Sequence, residues 1–106
     1  MLLNDIMNRL KQVYDRYSDI RIGVAGSYAN NTQHADSDID IVIDGDSTRI
    51  DIAEFIKGLF NKTVDILWVD LMRADDEEMD TFAIENDLPI NDFSVYKTVM
   101  QEVKWL

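Results

Sequence analysis

The spacing of apolar residues along the chain predicts one helix followed by three strands. In residues 2–17 apolar side chains recur every three or four positions, which is typical of an amphipathic helix. Apolar and other residues alternate in residues 20–25 and, more regularly, in residues 38–43, and this two-residue period predicts a strand in each segment. Residues 63–69 form a third apolar run with one interior charge, which predicts a third strand.

Capping residues predict where the helices between these strands begin. Gly26 and Ser27 follow the first strand directly, and Ser27 is placed to cap a short helix within residues 28–35. Ser47 is predicted to cap a second helix, which ends near Phe60. Each connection between the predicted strands therefore contains helical residues.

The last part of the chain predicts two more helices. Acids occupy five of the six positions in residues 75–80, which favours the first turn of a helix over about residues 76–86. Ser94 is placed to cap a final helix with apolar residues at every fourth position. The order α-β-α-β-α-β-α-α predicts an α/β (α+β) fold, a small mixed β-sheet flanked by helices, in a single domain of residues 1–106.

Net charge is the unusual feature of the composition. Ten Lys and Arg stand against 21 Asp and Glu, which gives a formal net charge of −11. Such a surface repels nucleic-acid phosphates and anionic lipids, so we expect neither direct nucleic-acid binding nor membrane binding, whereas a basic protein partner would be complementary. The chain has no Cys, which excludes disulfides and thiolate zinc sites. The N-terminal residues do not resemble a signal peptide, and we expect a cytoplasmic protein.

Two carboxylates on the second predicted strand form a candidate metal site. Asp38 and Asp40 are two positions apart, so both project from the same face of the strand. They repel each other unless a cation lies between them. Oxygen ligands without Cys or a nearby His favour Mg²⁺ or Mn²⁺. The alternative is that this Asp-x-Asp pattern marks only the solvated face of an edge strand.

Asp65 is a candidate third carboxylate. It interrupts a strand whose composition otherwise predicts burial, and a buried carboxylate needs a partner or a metal. If residues 63–69 pair beside residues 38–43, Asp65 can join Asp38 and Asp40. Asp70 is the rival candidate, but it follows the apolar centre of the strand.

The Gly-Ser pair completes a pattern that is similar to a known family. Gly26-Ser27, ten further residues, Asp38-x-Asp40 and the later Asp65 resemble the nucleotidyltransferase superfamily that includes DNA polymerase beta. The stretch GSYANNTQHADSDIDIVID and the chain length resemble its minimal members, and the resemblance covers residues 1–70.

The resemblance implies a nucleotidyltransferase fold and a role for each residue. Gly26 and Ser27 would hold the β- and γ-phosphates of a nucleoside triphosphate, whereas a Gly-Ser pair by itself indicates only a turn. Asp38 and Asp40 would ligate two Mg²⁺ ions, with Mn²⁺ as an alternative, and Asp65 would ligate one of them and accept the proton of the attacking hydroxyl.

The resemblance also implies a biological role. Similar minimal nucleotidyltransferases are antitoxins that act with a HEPN-domain ribonuclease toxin and transfer AMP from ATP to a tyrosine of that toxin. We therefore expect a protein adenylyltransferase in a hetero-oligomer with a HEPN toxin.

Two other functions remain open at this point. A non-catalytic acidic antitoxin could neutralise a basic partner stoichiometrically; Asn30-Asn31, where many family members have Arg-Gly, and the charge of −11 favour this reading. The presence of all three carboxylates argues against it. The third reading is an enzyme that acts on a small hydroxylated molecule such as an aminoglycoside.

Overall fold

The computed structural model describes residues 1–89 and 94–106, which form both helices and strands. The elements are α1 (Leu3–Tyr14), β1 (Arg21–Ala25), α2 (Gly26–Ala29), β2 (Ile39–Asp44), α3 (Ile50–Lys57), β3 (Val64–Trp68), α4 (Val69–Glu85), α5 (Val95–Glu102) and β4 (Lys104–Trp105). The predicted mixed α/β fold with a small mixed sheet is confirmed. Within the described ranges, none of the helices combines the length and apolarity that crossing a bilayer requires.

The strands form one sheet in the order β3-β2-β1-β4. β1 is antiparallel to both β2 and β4, whereas β2 and β3 are parallel. A parallel pair needs a crossover connection, and α3 supplies it. β3 therefore lies at one edge of the sheet.

Apolar side chains cover both faces of the sheet. Ile39, Ile41 and Ile43 of β2 are fully buried on the face that packs against α1 and α3. Val42 points to the opposite face, where it is also fully buried beneath α4 and α5. Asp40 has the same parity as Val42, so the carboxylate lies on the α4 and α5 face of the sheet.

Helix α4 begins earlier than the sequence predicts. β3 passes directly into α4 at Val69, and the acidic run of residues 75–80 lies within the helix rather than in its first turn. Val69 and Met72 are buried against the sheet. Their burial decides where the helix starts, because tertiary packing outweighs the weak local preference of acids for a first turn.

Two of the three predicted caps are wrong. The N-cap of α2 is Ala25 rather than Ser27, and α3 begins after Arg49, with no side-chain cap in either case. The backbone N–H of Ser47 instead donates to Asp70 Oδ2 at 3.2 Å. Ser94 confirms the third prediction, since its Oγ accepts from Lys97 N at 3.1 Å.

The fourth strand was not predicted from the sequence. Residues 104–105 pair with β1, and the Leu106 N–H donates to the Ile22 carbonyl at 2.9 Å. Gly23 makes this pairing possible, because a Cβ there would lie only 2.6 Å from Val103 Cγ2. A strand of two residues is too short to produce a recognisable alternation.

Candidate active site

Parallel pairing places two of the predicted carboxylates side by side. Asp40 and Asp65 are each the second residue of their strand, and they are register partners in the β2–β3 pair. Register partners point to the same face, and adjacent strands are about 4.8 Å apart. Asp38 lies immediately before β2. The two strands are therefore paired, which is the condition under which Asp65 can join Asp40.

The three carboxylates differ in exposure. Asp40 is half-buried, whereas Asp38 and Asp65 are exposed. The expectation that Asp65 is buried is wrong. β3 is an edge strand, so its side chains are covered less completely than those of a central strand, although most of its residues are apolar. Exposure leaves Asp65 accessible to a ligand or to another protein.

The three carboxylates are close enough to interact electrostatically. The pKa of Asp40 is raised from its usual value, first by partial burial and then by the negative charges of Asp65 and Asp38. Each of these causes disfavours the charged form of Asp40. A cation bound at this position would offset both the burial and the repulsion.

Gly26 lies against Asp40. Its φ of +68° is in the left-handed region, and a Cβ at this position would overlap Asp40 Oδ2. The antiparallel register that pairs Ala25 with Asp40 brings the Gly-Ser turn to this carboxylate. Two motifs that are separated in the sequence thus form one site, and glycine is required where they meet.

Asn30 and Asn31 play different structural parts at the end of α2. Asn31 has a φ of 58°, a conformation that asparagine tolerates better than most residues. It can therefore replace the glycine that many members of the resembled family have here. Asn30 Nδ2 donates to Glu102 Oε2 at 3.4 Å, so Asn30 links α2 to α5 and supplies no positive charge.

The donor set suits a hard cation, but the side chains as placed do not form a complete metal cage. Within residues 1–89 and 94–106, no three His, Cys, Asp or Glu side chains are arranged so as to hold a metal ion. Asp38 and Asp65 are exposed, and exposed side chains change rotamer rapidly. Three carboxylates with no sulfur ligand match the preference of Mg²⁺.

Asp70 is not part of this cluster. It lies in the first turn of α4, beyond the opposite end of β3 from Asp65. Its Oδ2 accepts the Ser47 N–H, and its Oδ1 accepts the Leu71 N–H at 2.7 Å. Asp70 therefore joins the β2–α3 connection to α4.

Lys57 is a candidate site residue that no pattern in the sequence indicated. A cleft of about 620 Å³ is lined by Lys57 together with Asp40, Asp65 and the remaining residues of β3. Lys57 occupies the last turn of α3. A crossover helix ends near the edge of the sheet where the next parallel strand starts. Lys57 is at the end of such a helix, so this rule could have identified it as a candidate from the sequence.

Comparisons with known proteins agree with the fold. The model of the family described as "Nucleotidyltransferase domain" matches residues 5–105. No curated protein matches the chain significantly. A similar solved structure is the crystal structure of a toxin-antitoxin with AMP-PNP, at 22% identity and a TM-score of 0.55, covering 99% of this chain and 72% of that one.

Proposed function

Since the chain belongs to the nucleotidyltransferase domain family, we propose that it transfers AMP from ATP to a hydroxyl group of another protein in a Mg²⁺-dependent reaction. The observation that carries the proposal is the convergence of Asp40, Asp65 and Gly26 at one end of the sheet. These residues come from three separate segments. The two aspartates can bind a metal ion, and the glycine leaves room for a phosphate.

The carboxylates would hold the metal and accept the proton. Asp38, Asp40 and Asp65 would bind two Mg²⁺ ions, or Mn²⁺ in their place, which neutralise the phosphates and the leaving pyrophosphate. The acceptor oxygen attacks the α-phosphorus as the bond from that atom to the bridging oxygen of the β-phosphate breaks. Pyrophosphate leaves, and the hydroxyl proton passes to the Asp65 carboxylate.

The Gly-Ser turn would position the triphosphate. Gly26 has no side chain to block approach, and its left-handed φ turns the backbone beside Asp40. Ser27 would add a hydroxyl donor to the β- and γ-phosphates. The similar toxin-antitoxin structure was solved with AMP-PNP, and this ligand supports ATP as the substrate here.

The proposed acceptor is a tyrosine of a HEPN-domain ribonuclease toxin, with which the chain would form a cytoplasmic hetero-oligomer. The similar toxin-antitoxin structure supports an antitoxin role. The net charge of −11 supports a basic protein partner.

Asp65→Asn tests this proposal most directly. The change keeps the shape of the side chain but removes its charge, so transfer of labelled AMP from ATP to the ribonuclease should fall by about 10²–10⁴-fold. Co-purification with the ribonuclease should survive. Asp44→Asn is the matched control, because Asp44 is an exposed aspartate at the other end of β2.

A stoichiometric antitoxin is the second candidate function. It is favoured by Asn30, which donates a hydrogen bond to Glu102 and stands where many members of the resembled superfamily have Arg. Such a protein would protect cells fully when Asp38 and Asp40 are both changed to Asn. Full protection by that double variant at native expression would overturn the enzymatic proposal.

A further inference from the structure

The outer edge of β3 offers unpaired backbone groups. The Ile39 N–H donates to the Thr63 carbonyl at 3.0 Å, which shows that Thr63 faces β2. Because successive residues of a strand alternate in direction, the N–H and C=O groups of Val64 and Ile66 face away from β2. Among the described residues, no strand pairs with this side of β3.

The same edge is continuous with the candidate active site. The cleft that contains Asp40 and Asp65 extends along β3 as far as Trp68. Ile66 and Trp68 are half-buried and offer apolar surface on the other face of the strand. A segment that lies along this edge therefore passes the carboxylates without leaving the cleft.

We propose that the acceptor protein docks by adding an extended segment as a strand on the outer edge of β3. This inference rests on the proposed function, and it specifies how the acceptor hydroxyl reaches the site. Main-chain hydrogen bonds to Val64 and Ile66 provide the affinity, as in other cases of strand addition. A residue paired beside Asp65 then has its side chain on the same face as Asp65 and Asp40.

The distance between the added strand and β2 favours a long acceptor side chain. An added strand lies about 4.8 Å beyond β3, and β2 lies the same distance on the other side. A tyrosine beside Asp65 projects from the same face of the sheet and carries its hydroxyl farther from the added strand than a short side chain does.

Charge favours a basic segment over a second copy of this chain. Asp65 on β3 is exposed and the chain carries a net charge of −11, so Lys or Arg in the added segment meets complementary charge, with Lys57 as the cation of this chain that lines the cleft. Two copies that pair through β3 would each bring a net charge of −11 and would repel.

Amide hydrogen exchange tests the docking mode on the unmodified protein. The probe is the full-length HEPN ribonuclease with Mg²⁺ and α,β-methylene-ATP, whose α–β linkage does not break. Exchange of the Val64 and Ile66 amides should slow by about tenfold or more on complex formation. The Asp65 and Leu67 amides face β2 and serve as internal controls, because they are already bonded in the free protein.

Ile66→Pro provides a second measurement. Proline removes the outward N–H, and edge positions of this kind tolerate it. Affinity for the ribonuclease and AMP transfer should both fall by about tenfold or more, whereas Ile66→Val, which keeps the N–H, should lose much less of either. If the proline variant does not fold, the exchange measurement decides alone.

The outcomes separate the docking mode from the function. If the wild type modifies the ribonuclease while the Val64 and Ile66 amides exchange as in the free chain, the docking mode is wrong and the function stands. If the wild type neither binds nor modifies the ribonuclease, both are overturned. Protection of these amides without the ribonuclease, together with a dimer by light scattering, would show that a second copy occupies the edge.

Discussion

At the scale of single residues, the site depends on one glycine. In Gly26→Ala the new Cβ would overlap Asp40 Oδ2, and the alanine backbone would have to keep a left-handed φ. We therefore expect a loss of about 1–3 kcal/mol in the free energy of unfolding. We also expect a loss of ATP affinity. Urea unfolding and nucleotide titration measure the two effects. Gly58→Ala is the control: Gly58 has a φ of −70° and ordinary contacts, so its effect should stay within about 0.5 kcal/mol. Equal ATP affinity of wild type and the Gly26 variant would rule out the phosphate role of the turn.

Asp40 makes stability depend on pH. Its folded-state pKa is raised above the usual value of 3.8, so the folded state binds the proton more tightly than the unfolded state. The contribution of Asp40 to the free energy of unfolding is therefore complete below that usual value and is lost as pH rises through the folded pKa. Asp40→Asn should stabilise the metal-free protein at pH 7 and flatten this decline. Urea unfolding in EDTA, from about one unit below the usual carboxyl pKa up to pH 7, measures both effects. A variant less stable than wild type at pH 7 would contradict the expectation.

At the scale of elements, a partly buried ion pair joins α4 to α5. Asp76 is only 7% exposed, and Lys97 Nζ lies 3.9 Å from its Oδ2 and 3.6 Å from Asp80 Oδ2. Lys97→Met removes the cation and leaves the buried Asp76 carboxylate without its partner, so the free energy of unfolding should fall by about 1–3 kcal/mol. The loss is smaller than for a fully buried pair, because Lys97 and Asp80 are partly exposed. Asp76→Asn added to Lys97→Met should restore part of that loss in thermal unfolding. Additive losses in the double variant would show that the pair is not coupled.

At the scale of the whole molecule, the acidic charge should make the stability of the fold depend on divalent cations. If millimolar Mg²⁺ or Mn²⁺ binds the folded state at the proposed site of Asp38, Asp40 and Asp65, the melting temperature should rise at constant ionic strength. The variant in which Asp38 and Asp40 are both Asn should lose this response, and Asp44→Asn should keep it. An unchanged melting temperature of the wild type would contradict the shared metal site. Ca²⁺ should also stabilise but support little transfer, because its looser coordination positions phosphates poorly.

Much of the fold could be predicted because it depends on local spacing. The apolar period in residues 2–17 predicts α1, and strict alternation in residues 38–43 predicts β2, since burial on one face imposes those periods. The position of Gly26-Ser27 directly after a strand and the interval between Asp38 and Asp40 are likewise properties of the sequence alone. These local features are the ones in which the sequence resembles the nucleotidyltransferase family.

Only the tertiary structure decided how these parts meet. The pairing of Asp40 with Asp65, the contact of Gly26 with Asp40 and the approach of Lys57 all depend on strand order and register. Asp65 is exposed because its strand lies at the sheet edge, although its apolar neighbours predict burial. Local pattern determines which residues favour a strand or a helix, but strand order follows from the packing of segments far apart in the sequence, and no local pattern encodes it.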